Sequence, residues 1–98
     1  MKIDVIAVAE QEFFEAVEYY NDQRPGLGYE FAAEITNTMK RIVDFPKAWS
    51  EISAKTRRCL TNKFPFGIIY QLNEDTILVI AIMNTNRDPI HWQIRLEQ

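Results

Sequence analysis

The stretch that decides the fold spans residues 76–95, TILVIAIMNTNRDPIHWQIR. Residues 77–83 are an unbroken apolar run, rich in β-branched side chains and too short to cross a bilayer. Such a run predicts a strand that is buried on both faces of a sheet. The polar second half carries the candidate functional residues Arg87, His91, Trp92 and Arg95. We therefore expect part of any working site to lie where this strand ends.

The segments just before this strand predict its neighbours in the sheet. Residues 66–72, FGIIYQL, are followed by the turn residues 73–75. This segment and the strand predicted over residues 77–83 should therefore form an antiparallel hairpin. Residues 56–61, TRRCLT, predict a shorter strand with Arg57 and Cys59 on one face and Arg58 on the other. Residues 47–55 are expected to form a loop.

The first half of the chain alternates between two periodicities. Residues 2–8 predict a short strand. From residue 10 the apolar positions recur at three and four, which indicates an amphipathic helix ending near residues 21–24. A second apolar stripe covers residues 27–45 and is closed by Pro46. The glycine-rich residues 25–28 lie between the two helices and predict a tight connection, since no strand precedes them and no Lys-Ser or Lys-Thr follows.

The predicted order is β-α-α-β-β-β, in a single domain spanning residues 1–98. This is an α+β fold with a helical hairpin packed on a small, mostly antiparallel sheet. A single cysteine allows no internal disulfide, and the sequence shows neither a signal peptide nor a membrane-spanning run. We therefore expect a cytoplasmic protein that does not contact a membrane.

The charge is segregated along the chain. The net charge of the chain is −3, but residues 1–34 sum to −6 and residues 40–63 sum to +5. This pattern suggests two faces of opposite potential, or two ordinary solvated surfaces. The negative net charge argues against a protein whose main partner is nucleic acid.

The chemistry available to the chain is limited. One histidine and one cysteine give no metal-ligand spacing, so we expect no metal and no cofactor. Cys59 fits either a small buried residue or a nucleophile whose pKa is lowered by the neighbouring arginines. His91 fits either a packing residue or a general acid or base, and Arg87 is a further catalytic candidate. Arg57 and Arg58 suit phosphate or carboxylate recognition, or pairing with the acidic helix.

Four motifs occur together in a recognisable order. They are a Tyr-Tyr helix end followed by Pro-Gly-Leu-Gly (19–28), a Phe-Pro that closes the second helix (45–46), Arg-Arg before Phe-Pro-Phe and a strand (57–72), and Arg-Asp-Pro with a tryptophan in the tail (87–92). With them the chain resembles the ParE/RelE superfamily of bacterial type II toxin–antitoxin toxins over nearly its whole length. The ParE branch is the more similar, because of residues 25–28 and 64–66.

The resemblance implies the same order of helices and strands and a small antitoxin that wraps the toxin. ParE-like members inhibit DNA gyrase, whereas RelE-like members cut messenger RNA on the ribosome. RelE-like nucleases carry an arginine at the position of Gly67, and many members carry a histidine where this chain has Asn84. These departures favour a ParE-like toxin of the plasmid-stabilisation type. A RelE-like endoribonuclease and a degenerate, non-toxic antitoxin-binding homologue are the alternatives.

The residues expected to contact the antitoxin or the target are Arg57, Arg58, Arg87, Trp92 and Arg95. We also expect that an exposed strand edge can pair with itself, which would give a homodimer, or with the antitoxin.

Overall fold

A computed structural model describes residues 1–87 and residue 95 of the chain. The elements are β1 (Lys2–Val5), α1 (Ala7–Gln23), α2 (Leu27–Asp44), β2 (Ser50–Ser53), β3 (Thr56–Leu60), β4 (Phe66–Asn73) and β5 (Thr76–Asn84). The predicted α+β class and the helical hairpin are confirmed. The structure adds β2 within the expected loop, and α1 begins before residue 10, so β1 is shorter than predicted. His91 and Trp92 lie outside the described residues.

The sheet is mostly antiparallel and has the strand order β1-β5-β4-β3-β2. β5 pairs antiparallel with β4 along its whole length and parallel with β1 only from Thr76 to Val79. The register of β4 against β5 shifts between Ile69 and Tyr70, which leaves Ile80 as an extra residue of β5. Beyond this bulge the alternation of β5 is displaced by one position.

This bulge divides the apolar run of β5 between two clusters. Ile77, Val79 and Ile82 join the main core, which the two helices share with β3 and β4. Ile80, Ala81 and Met83 join a second cluster with Ile69. All six of these β5 side chains are buried, as predicted for a strand with two apolar faces.

The two helices meet at the Pro-Gly-Leu-Gly connection. Gly26 has a φ of 90°, a left-handed conformation in which an L side chain is strained. A Cβ on Gly28 would lie 2.1 Å from the carbonyl oxygen of Val17, and the Gly28 N–H donates to Asn21 Oδ1 at 2.7 Å. The second glycine therefore permits the backbones of α1 and α2 to touch, and the predicted helix–helix connection is confirmed.

The loop between β3 and β4 is attached to α2 by a buried carboxylate. Glu34 Oε1 accepts the backbone N–H of Asn62 and that of Lys63, the latter at 2.9 Å. Thr61 Oγ1 closes the same loop by donating to the carbonyl oxygen of Phe64 at 2.6 Å. Two otherwise orphaned loop amides are satisfied by one side chain, which fixes the start of β4 relative to the helices.

Candidate functional site at the end of β5

A groove of about 690 Å³ runs between α1 and the end of β5. Its described lining residues are Glu12, Glu15, Ala16, Tyr19, Tyr20, Pro65, Phe66, Ile82, Met83, Asn84, Asn86 and Arg87. Apolar and aromatic groups form most of this lining, with carboxylates on the α1 side and a guanidinium at the far end. Such a mixture suits a protein segment better than a small polar substrate.

The position of the groove follows from the helical repeat of α1. Phe13, Val17 and Tyr20 pack on the main core. Glu12 and Tyr19 lie on a neighbouring stripe of the helix, spaced by seven residues, and they line the groove beside β5. Tyr19 is 59% exposed although it is a large aromatic side chain. In the sequence, only the pair Tyr19 and Tyr20 indicated this stripe. The helical repeat places Tyr20 against the core and leaves Tyr19 beside the groove.

A largely buried ion pair involves Glu12, which lines the groove. Arg95 donates to both carboxylate oxygens of Glu12, at 2.9 and 3.0 Å, and also to the carbonyl oxygen of Ile80 at 2.8 Å. Glu12 Oε1 accepts the N–H of Ile82 at 3.2 Å. The side chains of Arg95 and Glu12 are only 16% and 12% exposed. Arg95, predicted as a partner contact, is therefore bound within the chain in this structure.

The opposite side of the β5 end carries a smaller cavity of about 90 Å³. It brings together the side chains of Arg58 and Arg87, both exposed, with Gly67 and Asn84 between them. A Cβ on Gly67 would lie 3.3 Å from Cγ and Cδ of Arg58, so the arginine stem lies across the glycine. Two of the predicted contact arginines thus share one site, next to the two positions where the chain departs from RelE-like nucleases.

Arg57 lies on the other face of β3, as the alternation predicted. Its guanidinium donates to the carbonyl oxygens of Lys47 and Trp49, at 3.0 and 2.8 Å, and to Glu51 at 2.9 Å. These acceptors fix the segment that leads from α2 into β2. The structure therefore separates Arg57 from Arg58 and gives it three partners within the chain.

Three groups near the core hold their protons more tightly than usual. Burial raises the pKa of Tyr20, and the neighbouring Tyr19 adds to the rise. Burial also raises the pKa of Tyr70 to about 12, despite an opposing effect of Arg57. Burial raises the pKa of the Cys59 thiol, and Arg41 opposes this only in part. Cys59 is 1% exposed, so its environment favours the interpretation as a small buried residue over that of a nucleophile.

Residues 1–87 and 95 contain neither a cluster of metal-binding side chains nor a membrane-spanning helix. No group of three or more histidine, cysteine, aspartate or glutamate side chains in this part of the chain could hold a metal ion. None of its helices is long and apolar enough to span a membrane.

No protein-family model and no curated protein matches the sequence. Among solved structures, one described as "Chromosomal ParDE TA system from P. aeruginosa" contains a chain that matches with a TM-score of 0.76. The match covers 86% of this chain and 95% of the other, at 12% sequence identity. The chain has the fold of this ParDE-system protein. The predicted ParE-like resemblance is thereby confirmed at the level of the fold.

Proposed function

We propose that this chain is the toxin of a type II toxin–antitoxin module, of the ParE-like kind. The observation that carries the proposal is the shared fold with a chain of a ParDE system over 86% of the sequence. A toxin of this kind acts in the cytoplasm by binding a target such as DNA gyrase, and an antitoxin neutralises it. Fold by itself does not fix function, so the site must supply the remaining support.

The groove beside β5 supports an antitoxin as the partner. It offers an apolar floor at Ala16 and Phe66, and the exposed ring of Tyr19 stands at its rim. Aromatic rings on an apolar surface are typical anchors of protein interfaces, because they bury much area at a low entropic cost. The proposed antitoxin places a segment of its chain in this groove.

Arg58 and Arg87 support a separate contact with the target. Both guanidinium groups reach solvent beside the small cavity on the opposite side of the β5 end. Exposed arginines in such a position can form paired hydrogen bonds with carboxylates or phosphates of a macromolecule. In this proposal the antitoxin and the target use adjacent surfaces that share Arg87.

Induced expression in a bacterial host tests toxicity. We expect growth to stop within a few generations and to resume when the proposed antitoxin, encoded by an adjoining reading frame, is co-expressed. Normal growth with soluble, folded protein in the cells would refute toxicity and would favour the degenerate homologue.

A supercoiling assay tests the target. Purified chain should inhibit DNA gyrase, and the double variant R58A/R87A should weaken inhibition by about tenfold or more, as expected for two charge-assisted contacts. The matched control is the variant K40A/K47A, which also removes two exposed positive charges but leaves the end of β5 intact. Equal inhibition by both double variants would show that the two arginines do not contact the target.

The same two arginines keep an endoribonuclease as a second candidate, because cations beside a cavity can stabilise a phosphate in the transition state. The described lining of that cavity offers only Asn84 and Thr85 as further polar side chains, neither of which exchanges protons near neutral pH. Cleavage of messenger RNA in a translating extract, lost in R58A/R87A, would establish the nuclease and displace gyrase as the target.

A further inference from the structure

Among the described residues, another strand covers only the first part of the outer edge of β5. β1 pairs with β5 from Thr76 to Val79, and Ile6 N–H donates to the Val79 carbonyl oxygen at 3.0 Å. The chain then enters α1 at Ala7 and leaves the sheet. Within residues 1–87 and 95, no strand pairs with this side of β5 beyond Val79.

Side chains take the place of the missing strand. The carbonyl oxygen of Ile80 accepts a hydrogen bond from Arg95, and the N–H of Ile82 donates to Glu12. These are the outward-facing backbone groups that a further strand would use. Glu12 and Arg95, which we name the edge plug, satisfy both groups and also bind each other through two hydrogen bonds.

Residues 80–83 of β5, which no described strand covers on this side, have the composition that pairs most readily with another strand. Residues 80–83 are all apolar and lie in a nine-residue strand. The two strands at the borders of the sheet are different: β1 and β2 have four residues each and carry charged side chains, and β2 also contains a bulge. Long apolar edges pair readily with other strands, whereas short, charged or bulged edges do not. Inward-pointing charges are one known means of blocking an edge.

We propose that the edge plug keeps residues 80–84 of β5 from pairing with the same edge of a second copy of this chain, and that opening the plug produces an edge-paired dimer. Two identical edges pair antiparallel around a twofold axis, so one surface supplies both halves of the interface. Ile82 and Met83 line the groove beside β5, although their side chains are almost fully buried. The inference concerns the isolated chain and does not require it to be a toxin.

The variant E12A/R95A tests the proposal, because it removes both plug side chains without changing the net charge. Its matched control is R24A/E30A, which removes an exposed ion pair with side chains that are 62% and 54% accessible. Sedimentation velocity over a range of concentrations reports the oligomeric state, and hydrogen exchange reports the Ile82 amide. Circular dichroism establishes that each variant is folded.

We expect the control and the parent chain to remain monomeric with a protected Ile82 amide. In dilute E12A/R95A this amide should exchange about tenfold faster or more, because its acceptor is gone. At higher concentration the variant should dimerise and the Ile82 amide should regain protection. A folded variant that stays monomeric at every concentration overturns the proposal, and so does a dimer in which Ile82 remains unprotected.

The single variant E12Q decides the question if E12A/R95A fails to fold. Glutamine retains an oxygen that can accept the Ile82 N–H but loses the charge that holds Arg95. E12Q should therefore keep the Ile82 amide protected. It should also dimerise more than the parent, because a neutral glutamine no longer holds the Arg95 guanidinium through an ion pair. A strictly monomeric, folded E12Q would overturn the role assigned to the ion pair.

Discussion

Replacing Gly28 by alanine should destabilise the protein, although alanine favours helices. In an unobstructed helical position the change would stabilise by about 1 kcal/mol. Here the new Cβ would lie 2.1 Å from the Val17 carbonyl oxygen and 2.6 Å from Asn21 Cγ. Since the nearest atom belongs to the backbone, α1 and α2 must separate. Overpacking costs about 3 kcal/mol when the backbone must move. The new methyl group would also weaken the hydrogen bond from the Gly28 N–H to Asn21, at a cost of about 1 kcal/mol more.

The expected net effect is a loss of about 3 kcal/mol, which corresponds to a drop in Tm on the order of 15 °C for a domain of this size. Equilibrium denaturation in urea, followed by circular dichroism, gives the free energy of unfolding. G26A is the comparison: its φ of 90° is strained for alanine, but no atom lies within 4 Å of the new Cβ. G26A should cost only about 1–2 kcal/mol.

The variant N21A/G28A tests the cause of this loss. Removing the Asn21 side chain relieves the contacts of the new Cβ with Asn21 Cγ at 2.6 Å and with Asn21 Nδ2 at 2.8 Å. The contact of the new Cβ with the Val17 carbonyl oxygen remains. Stability should therefore remain well below that of N21A alone. A G28A protein as stable as the parent, or more stable than G26A, would refute the idea that the helices touch at this glycine.

Three further changes test contacts inside the fold. R57K should cost about 1–2 kcal/mol by urea denaturation, because one ammonium cannot reach all three acceptors of the guanidinium; an unchanged free energy would mean that the three hydrogen bonds contribute little. E34A should cost about 2–4 kcal/mol and speed the exchange of two loop amides, whereas E34Q, which keeps an acceptor, should lose less; equal losses would contradict this role. Because the pKa of Tyr70 is raised to about 12, the unfolded chain loses this proton first, so stability should fall by about 2 kcal/mol between pH 10 and pH 12. Y70F should show a shallower fall over that interval, and an identical fall would assign the effect to other groups.

The parts of the fold that are governed by local patterns could be predicted from the sequence. The apolar run of β5 and the stripes of α1 and α2 follow from burial on two faces or on one. β2 was missed because its four residues, SEIS, are mostly exposed and do not show a clear alternation of apolar side chains. It is a strand because Ser50 and Glu51 pair with Arg58 and Arg57 of β3.

The candidate site was predictable in part. The end of β5 was expected to matter, and the structure places both the groove and the two-arginine cavity there. The opposite faces of Arg57 and Arg58 followed from strand alternation. Glu12 was not singled out, because a glutamate in the first half of an acidic helix looks like any other solvated residue until its partner is known.

The sequence by itself determined the two helices and every strand except β2, in their order, because helix and strand periodicity is visible in neighbouring residues. It also marked the connection at residues 25–28, where two glycines adjoin a proline. Only the tertiary structure decided that Arg95 binds Glu12, 83 positions away, and that a bulge at Ile80 turns Ile82 toward the helices. The ion pair and the bulge both depend on contacts between segments that are far apart in the chain. A local sequence pattern carries no information about such contacts. The end of β5 was therefore visible in the sequence, but what closes its edge was not.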